Sequence, residues 1–305
     1  MTIGAPGYLD TKVSPGYARV YDLVRDDDLG FFWKQRGQDL TGEAIGVMFG
    51  NSVSISDDGK VLAVSSRMPG RYTVQVHIYH WEDNGVARWK PLGDIIDGEN
   101  GTNLGDSVSL SWNGSIVAIG SPYGYVNGTY FGYVKVYQLD GGITWKPMGE
   151  TLHGDAVKAR FGSIVDITPD GKTLAISSKE TVRVYQLVSS GDLDQSWKQF
   201  GEDILCKENC NDFASSFSLS DDGKNLAVAY RNDDKLGHVI FYQMDASSES
   251  WRPQILDIDG DATGDYPEWG SVSLSADGMA VAIGAYENDK NGISSGSVRI
   301  FAVMI

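Results

Sequence analysis

One unit of about 55 residues recurs along this chain of 305, and four pieces follow one another in fixed order inside it. The first is a Ser-rich alternating segment: Ser52-Val53-Ser54-Ile55-Ser56, then Ser107–Ser111, Ile164–Thr168, Ser216–Ser220 and Ser271–Ser275. Each copy runs into Asp58-Gly59, Asn113-Gly114, Asp170-Gly171, Asp222-Gly223 or Asp277-Gly278, dipeptides that tolerate the positive φ of a hairpin turn. The second piece is small and apolar, as in Leu62-Ala63-Val64 and Val117-Ala118-Ile119-Gly120, with Thr2-Ile3-Gly4 as the first copy. The third is β-branched and aromatic and ends at Tyr21, Tyr79, Tyr137, Tyr185, Tyr242 and Phe301. The fourth opens on Trp33, Trp89, Trp145, Trp197 or Trp251, followed by Lys or Arg and in most copies by Gly four residues after the Trp.

No stretch between these pieces sustains a 3.6-residue period, so the chain is expected to be all-β. Four short antiparallel strands per unit, repeated in tandem, fit the blade of a β-propeller, which removes sheet edges by closing a ring. Residue size orders the strands radially. The Ser and Ala/Gly strands suit the crowded inside, and the Tyr and Trp strands suit the wider rim. A β-solenoid is the rival, but 55 residues is long for one coil. Twenty-two strands can be read, against 24 for six complete blades, because the chain starts at the second piece and stops after the third. The preferred reading is a single domain over residues 1–305, about six four-stranded blades with the first and last repeats incomplete. Two alternatives stay open. Trp33 onward completes the blade ending at Phe301, giving five closed blades and an N-terminal hairpin; or the chain is part of a longer seven-bladed parent. Separately, the start inside a blade suggests lost upstream sequence that could hold a signal peptide.

Phe49-Gly50 and Phe161-Gly162 ahead of the Ser strand, with Ile3-Gly4-Ala5-Pro6 and Ile119-Gly120-Ser121-Pro122 closing the second strand, resemble the FG-GAP repeats of integrin α-subunit propellers and related extracellular propellers. Leu104-Gly105, Phe213-Ala214 and Trp269-Gly270 depart from the pattern at the other Phe-Gly positions. The resemblance implies a propeller that binds partners outside the cell or in a lumen.

Charge narrows the partners. Lys plus Arg total 25 against 41 Asp plus Glu, a net charge of −16, so nucleic acid and anionic lipid surfaces are repelled. No apolar run is long enough to span a bilayer.

Candidate chemistry can be weighed against the repeat, since a position filled by unrelated residue types in other copies reads as structural. His77 aligns with Lys135 and Arg183, and His80 with Gln138 and Gln186; His153 and His238 stand alone, so none recurs as part of a metal pair. The serines lack a Gly-x-Ser-x-Gly elbow. Turns such as Ser56-Asp57-Asp58-Gly59 read as hairpin turns rather than as the aspartate boxes of sialidases. Glu43, Glu99, Asp155, Glu208 and Asp261 recur at one loop position, where a carboxylate can accept backbone N–H bonds.

The last copy is richer. Asp257, Asp259, Asp261 and Asp265 stand at positions 1, 3, 5 and 9 of one loop, the alternating hard-oxygen pattern that Ca²⁺ takes, with Ala262 where the calcium loops of integrin propellers carry Gly. Ca²⁺ is the one cofactor considered. Cys206 and Cys210, the only cysteines, read as a local disulfide, which favours an oxidising compartment. Sequons at Asn100, Asn113 and Asn127 point the same way, to a secreted, cell-surface or lumenal glycoprotein.

Trp81, Trp112, Tyr123, Tyr125 and Tyr130 lie outside the repeat positions or add to them, which makes them candidate ligand-binding residues. No catalytic set converges in the sequence. The expected function is a non-enzymatic binding or scaffold module for a protein or glycan, alone or as a subunit of a larger assembly. The alternative is a carbohydrate-active propeller enzyme or lectin using channel carboxylates and loop aromatics, for which two facing carboxylates about 5–10 Å apart are needed.

Overall fold

A computed structural model describes residues 1–7, 14–28, 30–68, 73–98, 104–126, 128–189, 195–206, 210–232, 237–259, 272–285 and 295–303. The fold is all-β, a six-blade β-propeller, with no helix among the described residues. Two compact units divide the chain, Met1–Val165 and Asp166–Ile305.

In the first unit, blade 1 comprises Thr2–Ala5, Tyr17–Asp26, Gly30–Gln35 and Leu40–Thr41; blade 2 comprises Val53–Ile55, Val61–Met68, Thr73–Glu82, Arg88–Pro91 and Ile96–Asp97. Blade 3 has Ser107–Leu110, Ile116–Ser121, Tyr133–Asp140, Thr144–Pro147 and Leu152–His153, with an added hairpin of Tyr125–Val126 and Thr129–Tyr130. Blade 4 begins at the unit boundary with Val165–Ile167, then Thr173–Ser177, Thr181–Ser189, Gln195–Gln199 and Ile204–Leu205. Blade 5 holds Cys210–Leu219, Asn225–Asn232, Gly237–Asp245 and Ser250–Asp259, and blade 6 holds Val272–Leu274, Ala280–Ala285 and Ser297–Ala302.

Strand order within a blade follows the order of the four sequence pieces, each pairing antiparallel with the next. Trp33 pairs opposite Leu23 inside blade 1, so the alternative in which it completes the blade ending at Phe301 does not hold. The strand count exceeds the sequence reading because the Trp strand breaks in two. In blade 2, Arg88–Pro91 and Ile96–Asp97 both pair with Thr73–Glu82, and the chain kinks between them at Gly93, φ 74°. Blade 5 has Ile255 in place of that glycine, and its outer strand runs unbroken from Ser250 to Asp259 with one register shift.

The second strands form the driest layer. Leu62, Ala63, Val64, Val117, Ala118, Ile119, Leu174, Ala175, Ile176, Leu226, Ala227 and Val228 are fully buried, each larger side chain contributing about 1.5–3 kcal/mol. Two further devices fasten neighbouring blades. The Ser strand of one blade accepts backbone N–H bonds from the Ser strand of the next: Val108 to Ser52 Oγ at 3.2 Å, Leu110 to Ser54 Oγ at 3.0 Å, Val272 to Ser216 Oγ at 3.0 Å and Leu274 to Ser218 Oγ at 3.1 Å. At the rim, three Trp indoles donate to the carbonyl just before the kink glycine of the preceding blade, Trp89 to Arg36 at 3.1 Å, Trp145 to Leu92 at 3.0 Å and Trp251 to Phe200 at 3.1 Å. Those glycines are seats for the ring. A Cβ on Gly93 or Gly201 would lie 2.9 Å from the Trp145 or Trp251 indole.

Candidate functional site

Tyr123, Tyr125 and Tyr130 come together on the hairpin that blade 3 adds to the repeat. Residues 125–126 pair with 129–130. The Tyr125 and Tyr130 rings lie 4.0 Å apart between centroids, and their hydroxyls hydrogen-bond. All three tyrosines are about two-fifths exposed, which leaves ring faces available to a ligand.

A second segment braces this hairpin. Lys158 N–H donates to Tyr130 C=O at 2.8 Å, Gly154 N–H to Gly132 C=O at 3.0 Å and Phe161 N–H to Phe131 C=O at 3.3 Å. The brace places the Arg160 guanidinium 5.5 Å from the Tyr123 ring centroid, in cation–π range. Lys158 and Arg160 hold positive φ, 63° and 56°. Three and one residues before Phe49, the other Phe of a Phe-Gly pair, the repeat has Gly46 and Met48 instead. A side chain in that conformation costs about 1–2 kcal/mol, a cost borne at Lys158, where the earlier copy has glycine, while Met48 shares it with Arg160 at φ 22°.

The other two candidate aromatics are elsewhere. Trp81 packs edge-on against Trp89 at 5.3 Å and under Arg36 at 5.5 Å, and is part of the rim between blades 1 and 2. Trp112 is half exposed on the hairpin turn of blade 3, where its carbonyl accepts Asp58 N–H at 3.4 Å. The strand Ile116–Ser121 separates that turn from Tyr123, so Trp112 and the tyrosines occupy opposite ends of the blade.

The histidines are dispersed. His77 bonds Ser66 Oγ at 3.1 Å and lies against Phe49, and burial holds its pKa below the usual range. His238 is buried and stacked on Tyr230; His153 meets Tyr133 edge-on, with burial and Lys135 lowering its pKa; His80 pairs opposite Lys90 in its sheet. The Ser-x-Asp-Gly turns close on themselves. Ser56 Oγ donates to Asp58 Oδ1 at 2.7 Å, Asp58 Oδ1 accepts Lys60 N–H at 3.0 Å, and Gly59 takes φ 67°.

Among carboxylates, Asp106 stands out at the head of blade 3's Ser strand. Burial pushes it up to about 6, and the charge recorded against it is that of Arg67. Of the recurrent loop carboxylates, Glu43 and Asp155 are exposed; Glu99, Glu208 and Asp261 lie outside the described residues. So do Asp265, Asn100 and Asn127, and of Asp257 and Asp259 only the strand backbone is described. Among the described residues no three His, Cys, Asp or Glu groups converge as metal ligands. Asn113 Oδ1 accepts from Ser115 N–H at 3.0 Å within its turn. Cys206 is disulfide-bonded, and the chain's other cysteine is Cys210.

Solved structures share this architecture. The blades are those of a β-propeller. A functionally unknown protein from Desulfotomaculum acetoxidans superposes with a TM-score of 0.57 at 13% identity, over 98% of this chain and 79% of that one. A Bacteroides uniformis protein named for 6-phosphogluconolactonase activity gives 0.52 at 10% identity, covering 99% and 96%. Sqt1 from Chaetomium thermophilum gives 0.52 at 16% identity, covering 98% of this chain and 65% of its own. At such identities the propeller fold is what these proteins share with this chain. No family model and no curated protein matches the sequence. No helix of the structure is long and apolar enough to cross a membrane.

Proposed function

We propose that this propeller is a non-catalytic binding or scaffold module that meets a protein or glycan partner through the blade 3 hairpin. The observation that carries the reading is the hairpin itself: a departure from the repeat that carries exposed tyrosines, with the Arg160 guanidinium over the Tyr123 ring. Tyr and Arg supply large contact area and are enriched where interfaces concentrate their energy. The FG-GAP resemblance supports the same role. In the structure its glycines allow close backbone approach, since a Cβ on Gly4 or Gly120 would lie 2.2 or 2.1 Å from the carbonyl oxygen of Gly50 or Gly162. An oxidising compartment, secreted, cell-surface or lumenal, is supported by the disulfide at Cys206.

The enzyme alternative requires a second carboxylate facing Asp106, whose carboxyl burial pushes up to about 6 and the Arg67 charge draws back down. Capture from the native source, run beside a glycan array, tests the proposal. A protein or glycan retained by the wild type and lost on Tyr125→Ala/Tyr130→Ala supports it. Silence in both assays, or retention unchanged by the double variant, contradicts it.

A further inference from the structure

Between the outer strands of blades 4 and 5, within the second unit, lies a groove of about 640 Å³ lined by Glu202, Leu205, Cys206, Ser250, Trp251 and Pro253 among others. At the equivalent place between blades 1 and 2, one side chain bonds the facing blade edge. Gln38, the residue after the kink glycine Gly37, donates its amide to Trp89 C=O at 2.8 Å and accepts Trp89 N–H at 3.1 Å, satisfying the edge of the neighbouring blade as an added strand would. Glu202, the residue after Gly201, occupies the same repeat position opposite Trp251.

A carboxylate cannot repeat what Gln38 does, because it has no donor for the carbonyl. Met244, paired opposite Trp251, sends its N–H away to Lys224 C=O at 2.8 Å, so this is a non-hydrogen-bonded pair in which Trp251 N–H and C=O point outward from the blade. Among the described residues neither group has a recorded partner. The other charges of the groove are already matched: Asp203 holds Arg183 at 2.8 Å, and Arg252 holds Asp245 at 2.7 Å. Glu202, with no recorded ion pair among the described residues, leaves the groove one net negative charge in a chain of net charge −16.

We propose that this groove binds an arginine side chain carried on an extended segment of a partner protein. The guanidinium is a planar fork of five donors, able to serve the Glu202 carboxylate and the Trp251 carbonyl together. Its aliphatic stem lies against Leu205, which is 53% exposed, and Pro253. The acidic surface draws a cationic segment in, and the unpaired backbone edge fixes where it seats.

Isothermal titration of the full chain at about 0.15 M salt, using N-acetylated, C-amidated Ala-Arg-Ala and its citrulline analogue, tests the assignment. Citrulline keeps the shape and removes the charge. The arginine peptide is expected to bind about tenfold or more tightly than the analogue, an advantage that Glu202→Gln removes by placing on Trp251 the amide that Gln38 places on Trp89. Glu202→Ala also weakens binding, whereas Asp83→Asn, at an exposed carboxylate outside the groove, leaves it unchanged. Equal binding of the two peptides, full retention by Glu202→Gln, or an equal loss with Asp83→Asn overturns the assignment. Unchanged melting temperatures of the variants show that each remains folded.

Discussion

Ala214 shows what one methyl group costs at a position the repeat reserves for glycine. Gly50, Gly105 and Gly162 take φ of 90°, 113° and 90° there, and buried Ala214 is held at 56°. Ala214→Gly is expected to stabilise the fold by about 1 kcal/mol, read as a raised urea midpoint at unchanged slope. Asp106 is a second costly residue. Its pKa rises from near 4 in the unfolded chain to about 6 in the fold, so the fold holds the carboxyl proton more tightly than the unfolded chain does. Its contribution is fully present below the unfolded pKa and is lost as pH rises through 6. Asp106→Asn should therefore gain about 1–3 kcal/mol over wild type at pH 7.5, with Arg67 left unmatched as the offsetting cost, and the gain should vanish near pH 4. Denaturant melts at the two pH values read the difference directly. Ala214 was visible in the sequence as a departure from Phe-Gly. Asp106 was not, because the charge that acts on it, Arg67, stands in the preceding blade.

Elements here owe their order to contacts about one repeat apart. Turns were legible because Asp-Gly and Asn-Gly act locally, and Gly59, Gly114, Gly171, Gly223 and Gly278 all take φ between 67° and 71°. The Ser strands were legible as strands, but not as fasteners, since Leu110 N–H finds Ser54 Oγ 56 residues away. Ser218→Ala leaves Leu274 N–H without its acceptor and should cost about 1–3 kcal/mol. The glycines after Trp33, Trp89 and Trp197 had a visible period, and the next blade's indole resting on each supplies the reason. Gly201→Ala meets both a positive φ of 81° and the Trp251 ring, so a loss of about 2–4 kcal/mol is expected. Gly141→Ala, at φ 58° with open space around it, should lose only about 1 kcal/mol. Equal losses for the two would remove the seat explanation.

At the scale of the whole molecule, the repeat supplies rigidity and its exceptions supply chemistry. The tyrosines were legible as departures from the repeat, and Trp81 and Trp112 were grouped with them only because sequence order hides which end of a blade a residue occupies. Lys158 and Arg160 carried a signal that went unread: cations at repeat positions where another copy has Gly46 and Met48. The account separates a folded frame from a binding hairpin, and that separation can be measured. Replacing Tyr125–Tyr130 with a two-residue Asn-Gly turn removes the hairpin while Gly124 and Phe131, already joined by an N–H to C=O bond of 3.2 Å, keep the ends close. Melting temperature and partner retention are then read on the same sample. A melting temperature within about 4 °C of wild type, a change of under about 1 kcal/mol, is expected together with loss of the retained partner. A partner retained at wild-type level by the hairpin-less chain would contradict it.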